Sequence, residues 1–228
     1  SAAIAIGINA GVGTQGTQAI AIGLQAGQAS QGTNAIAIGT SAGNTNQAQT
    51  AIAIGINAGT GTQGINAIAI GNTTGGSYQQ SGAIAIGLNA GAFGATAGST
   101  QGQGLNAIAI GINAGSTNQG TSAIAIGDQS GIQNQGTQAI AIGNLAGQTN
   151  QAQTAIAIGV SAGAGTQGTN AIAIGNLAGQ TAQNTGAISM GFQAGSLTQG
   201  TNAISVGTNA GRTNQAQQAI AIGLNAGS

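Results

Sequence analysis

Apolar and polar positions follow one short pattern from end to end. Ala3-Ile4-Ala5-Ile6-Gly7 is four apolar residues closed by a glycine, and it returns with small changes until its fourteenth glycine at Gly223. Successive glycines stand 16 residues apart, except for the interval of 24 between Gly87 and Gly111. Self-similarity at so short a period predicts a stack of equivalent coils, because a single unit cannot bury its own apolar face and must lean on its neighbours.

Numbering the unit from Ala3, place one is Ala and place two Ile in every copy. Place three is Ala except at Ser189 and Ser205, and place four is Ile except at Met190 and Val206. Gly holds places five and nine throughout, as at Gly7 and Gly11. Place eight is Ala except at Thr74 and Ser130. Place thirteen is Gln in all thirteen copies that reach it, and the last place is always Asn, Gln, Thr, Ser or Gly. A β-branched residue at every second position before a glycine predicts a short strand running into a turn. Such glycine density disfavours helix. The expected fold is therefore all-β, a parallel β-solenoid (β-roll or β-helix) of about fourteen 16-residue coils, forming one repeat domain over residues 1–228.

In a strand, places two and four point one way and places one and three the other. Ile4, Ile6, Ile20, Ile22, Ile108 and Ile110 should thus belong to two aliphatic ladders. With Ile inside the coil, alanine would form a flat outer strip, roughly 65 Å long at about 4.8 Å per coil. With alanine inside, Ile would stand at the contact between chains. The pattern leaves both arrangements open, and either one predicts lateral association, since so long an apolar strip is rarely left in water. Gln15, Gln31, Gln119 and Gln151 should stack as an amide ladder. The invariant glycines should serve positive φ or close backbone approach. The absence of Pro fits a chain whose every coil needs its N–H groups.

Two irregularities stand out. Eight extra residues within 92–102 predict a loop pushed out of one turn, and Phe93 makes it a candidate contact point. Asn44 to Thr50 is echoed 104 residues later by Gln148 to Thr154, six coils on once the insertion is removed, which suggests block duplication. Ser1-Ala2 enters directly on a regular copy and Leu224 to Ser228 stops within one, so a piece cut from a longer protein, or end-to-end stacking of chains, is expected.

Composition narrows the function. There are 45 Gly, no Cys or His, and one charge of each sign, Asp128 and Arg212. A chain this poor in cations is not expected to hold nucleic acid or an anionic membrane surface. No run is long enough to suggest membrane insertion. Disorder, the usual fate of glycine-rich polar chains, has no use for a rigid 16-residue register. No carboxylate pair, general base or transition-metal ligand cluster is present, so neither an enzyme nor a cofactor is expected. Gly11-Val12-Gly13-Thr14-Gln15-Gly16 spells a dinucleotide-binding fingerprint but precedes a strand and lacks the acidic partner. Asn72-Thr73-Thr74 is the one N-glycosylation pattern.

The run Ala-Ile-Ala-Ile-Gly-x-x-Ala-Gly, as in Ala19 to Gly27 and Ala107 to Gly115, resembles the head repeats of YadA-like trimeric autotransporter adhesins. It is also similar to repeats of phage and giant-virus fibre proteins. The resemblance implies a β-roll assembled as a trimer and used for attachment. The expected function is thus a structural fibre or adhesin shaft, self-associating, outside the cell or on a cell or virion surface, with a surface receptor or glycan as partner. An ice-binding or passively carbohydrate-binding solenoid is the alternative; a continuous Thr lattice is lacking, because place twelve mixes Thr, Asn, Ser, Tyr and Ala.

Overall fold

The computed structural model describes residues 2–92 and 102–228. Phe93 and nearly all of the insertion lie outside the described residues. The chain is all-β, with no helix among the described residues, and makes about 13 turns roughly 16 residues apart. It divides into two compact units, Ser1–Thr121 and Ser122–Ser228, both of them parallel β-solenoids.

Most turns carry two strands. The first holds places two to four, as Ile4–Ile6, Ile20–Ile22 and Ile36–Ile38. It pairs in exact register with the same strand one turn on: Ile4 with Ile20, Ala5 with Ala21 and Ile6 with Ile22. Seven such strands lie in the first unit, up to Ile108–Ile110, and seven in the second, from Ile124–Ile126. The second strand ends on the invariant glutamine, as in Ser30–Gln31 and Asn46–Gln47, and it too pairs in parallel. Backbone bonds continue the ladder through the turns: Gly11 N donates to Ala26 O at 2.9 Å and Gly16 N to Gln31 O at 2.7 Å. A proline in most columns would delete one of these bonds, which accounts for its absence.

Two tight turns close each coil. Ala26 N donates back to Gly23 O at 3.4 Å, and Ala35 N to Gly32 O at 3.2 Å. The third residue of each turn has positive φ, 57° at Gln25 and 59° at Asn34, as a type II turn requires. Places seven and sixteen, rich in Asn and other polar residues, are these left-handed positions. Glycine at place five is required twice over: Gly23 has φ 129°, and a Cβ there would lie 2.6 Å from Gly39 O of the next turn.

The structure decides which apolar ladder is inside. Alanines of places one, three and eight form the interior, with Ala19, Ala21, Ala26, Ala35 and Ala37 all at 0 % exposure. Ala21, Ala26, Ala37, Ala42, Ala53, Ala58 and Ala69 make one continuous cluster in the first unit, and Ala141 to Ala178 its counterpart in the second. The isoleucines point outward: Ile20, Ile22, Ile108 and Ile110 are half-buried between their stacked neighbours, while Ile38, Ile54 and Ile142 keep 36 % of their surface in water.

Candidate functional site: an amide spine behind an aliphatic face

The glutamine column shows why the interior is alanine. Gln31, Gln63, Gln79, Gln151 and Gln167 are 0–2 % exposed, and each projects from the second strand across the coil. Gln31 Nε2 donates to Ile20 O on the opposite wall at 2.7 Å; Gln119 reaches Ile108 O at 2.6 Å and Gln151 reaches Ile140 O at 2.7 Å. Along the stack, Gln15 Nε2 donates to Gln31 Oε1 at 3.3 Å and Gln31 Nε2 to Gln47 Oε1 at 3.2 Å. The same relay runs from Gln135 through Gln151, Gln167, Gln183 and Gln199 to Gln215 in the second unit. A buried amide is costly unless bonded on both sides. At most turns the opposite strand takes one proton and the next turn supplies the acceptor for the other, so a polar column becomes the spine of each solenoid; Gln47 donates instead to Ile36 O and Ala51 O, and among the described residues the Oε1 atoms of Gln63 and Gln135 have no donor.

The coil is thus only as wide as one glutamine is long. Glycine at place nine belongs to the same device: at Gly27, with φ 54°, a Cβ would sit 2.8 Å from Gln31 Oε1. Gly11 faces Gln15 in the same way, its Cβ position 3.1 Å from the Gln15 carboxamide. Two serines that interrupt the alanine column join the spine. Ser189 Oγ donates to Gln199 Oε1 at 2.5 Å and accepts from Gln183 Nε2 at 3.2 Å. Ser205 bonds Gln215 in the same manner and accepts from Gln199 Nε2 at 3.1 Å.

The isoleucines stand on the outer side of the first sheet. Ile4 and Ile6, in the first turn, are 48 % and 59 % exposed. Place six extends this face in the first unit, where Ile8, Leu24, Ile56, Leu88 and Ile112 are also exposed. The second unit carries more polar residues at the same place, Asp128, Asn144 and Asn176 among them. Asp128 is engaged on its own surface, its Oδ2 accepting from Asn144 Nδ2 at 3.3 Å. The glycosylation pattern is split by the fold: Asn72 is exposed, whereas the Thr74 hydroxyl is fully buried and donates to Gly87 O.

Sequence reading placed the glutamines in a ladder without revealing that they cross the coil interior. It also missed the left-handed backbone at places seven and sixteen. The signal was the restriction of place sixteen to Asn, Gln, Thr, Ser and Gly, residues that favour turns and tolerate positive φ.

Among the described residues, no group of three or more His, Cys, Asp or Glu could hold a metal ion, and no helix is long and apolar enough to cross a membrane. No protein-family model matches the chain, and comparison with curated proteins finds no relative.

Proposed function

We propose that this chain is a non-catalytic, self-associating structural protein, a fibre or adhesin shaft working outside the cell or on a cell or virion surface. The observation that carries the reading is the outward placement of the isoleucines, seven successive rungs in each unit, over a core that alanine and glutamine already fill. An inward isoleucine would be explained by the core; an outward one repeated on every turn is not. A second copy of the chain is the partner that fits this face best. Its rungs repeat at the same spacing, its surface is equally apolar, and neither copy brings charge enough to repel the other. The trimer implied by the adhesin resemblance is one way to close such a contact.

Sedimentation equilibrium tests the reading. The wild-type chain should sediment as a defined oligomer at about 10 µM, and a variant carrying Ile38→Asn and Ile54→Asn should shift towards the monomer while keeping its β-sheet circular dichroism. These side chains leave the interior untouched, so the variant should fold. A wild-type chain that stays monomeric up to about 100 µM, an affinity weaker than roughly −5.5 kcal/mol, removes the proposal.

A further inference from the structure

The second sheet of the first unit holds a feature that the apolar face does not explain. Thr62, Gly64, Tyr78, Gln79, Gln80, Ser81 and Leu105 surround a groove of about 390 Å³. Gly64 lines it at place fourteen, and residues of places twelve and fifteen, Thr62 and Tyr78 with Ser81 and Leu105, line it beside that column. Tyr78 is the only tyrosine of the chain and is 38 % exposed. In the next turn the residue of its column is Gly102, so no side chain follows the ring there. Leu105, 41 % exposed, supplies a second apolar wall. Among the described residues, the side chains of Thr62, Tyr78, Gln80 and Ser81 make no internal hydrogen bond, unlike those of the Asn89 and Asn113 pair, bonded at 3.2 Å. No charged side chain belongs to this unit, since Asp128 and Arg212 both fall in the other.

We infer that this groove binds a neutral hexopyranose chain, with one sugar ring stacked on Tyr78 and its hydroxyls bonded by Thr62, Gln80 and Ser81. An aromatic face beside uncommitted hydroxyl and amide groups matches the alternation of C–H faces and hydroxyl edges on a pyranose. The lack of charge sets aside phosphorylated, sulfated or uronic acid ligands, which recruit cations. The groove crosses successive turns spaced about 4.8 Å apart, so it offers more than one sugar subsite along the stack. The inference does not rest on self-association, because the groove lies on the second strand's sheet and the isoleucines on the first.

Tyr78 also furnishes the assay. In a chain without Trp, tyrosine emission comes from this residue alone. Titration with linear hexaoses of β-1,4-glucan, α-1,4-glucan and α-1,6-mannan should give a saturable change in Tyr78 emission for at least one of them. Methyl glycosides of the same sugars should bind at least about tenfold more weakly, and a hyaluronan hexamer should give no change. Saturation-transfer NMR should show the binding hexaose losing about tenfold in affinity with Tyr78→Ala and retaining it with Tyr78→Phe, the loss expected of a ring-stacking contact. Tyr78→Ala should fold, because Ala182 occupies the same column in the second unit; unchanged circular dichroism verifies this. Three results overturn the inference: no response to any neutral hexaose at millimolar concentration, binding of the acidic oligomer alone, or binding that survives Tyr78→Ala undiminished.

Discussion

Replacing Gln167 with Met retains the length of the side chain and removes its hydrogen bonds, which isolates the spine from the packing. In the wild-type structure Gln167 Nε2 donates to Ile156 O at 2.6 Å and to Gln183 Oε1 at 3.1 Å, and Gln167 Oε1 accepts from Gln151 Nε2 at 3.2 Å. Each lost bond counts about 1 kcal/mol net, and a buried group left without any partner about 1–3 kcal/mol. Gln151 Nε2 keeps Ile140 O and Ala155 O, so its loss is the smaller one. Among the described residues Gln183 Oε1 has no other donor, and it takes the larger penalty. With the bond to Ile156 added, the variant should lose roughly 3–5 kcal/mol. Urea unfolding followed by far-ultraviolet circular dichroism is the measurement. For m near 1–3 kcal/mol per molar, the midpoint should fall by about 1–5 M, and Gln153→Met, at an exposed place, should leave it within error. A Gln167→Met protein that unfolds at the wild-type midpoint refutes the spine as a source of stability.

Glycine positions should rank by what their missing Cβ would strike. Gly159→Ala meets the backbone oxygen of Gly175 at 2.7 Å with φ 126°, and should unfold more readily than Gly163→Ala, whose Cβ meets the movable Gln167 Oε1 at 2.8 Å; thermal melting of both variants checks the order. Leu145 stands at φ 59°, where a non-glycine residue is strained, so Leu145→Asn should raise stability by about 0.5–1 kcal/mol in the same urea assay. Ser189→Ala should cost less than about 1 kcal/mol, because Gln199 Oε1 still accepts from Gln183 Nε2 at 3.1 Å and the new methyl restores the regular column. Self-association through an apolar face should be indifferent to sodium chloride between about 0.05 and 0.5 M, which sedimentation at the two salt concentrations tests directly.

The strands, their parallel order and the 16-residue rise were legible because alternation and period are properties of the sequence alone. The side of the sheet that faces inward was not, and the reason is physical. Period-two alternation assigns Ala and Ile to opposite faces without saying which is buried, and the larger residue is the usual choice for a core. What decides otherwise is the opposite wall. Gln31 must reach Ile20 O at 2.7 Å, and this holds the two sheets too close for two isoleucines per turn, while Ala21 and Ala26 fit at 0 % exposure. Gly27 completes the fit by leaving room for the Gln31 amide. The invariant glutamine, alanine and glycine columns are therefore one constraint, visible only when the chain is closed into a coil. Once those three fill the interior, the isoleucines have no structural duty left within the turn. A β-branched residue kept on an outer face at nearly every repeat favours a strand, but Thr or Val would serve that purpose with less apolar surface. The excess of exposed aliphatic area is what a partner molecule would explain, which makes the oligomeric state of the Ile38→Asn, Ile54→Asn variant the measurement on which the functional reading turns.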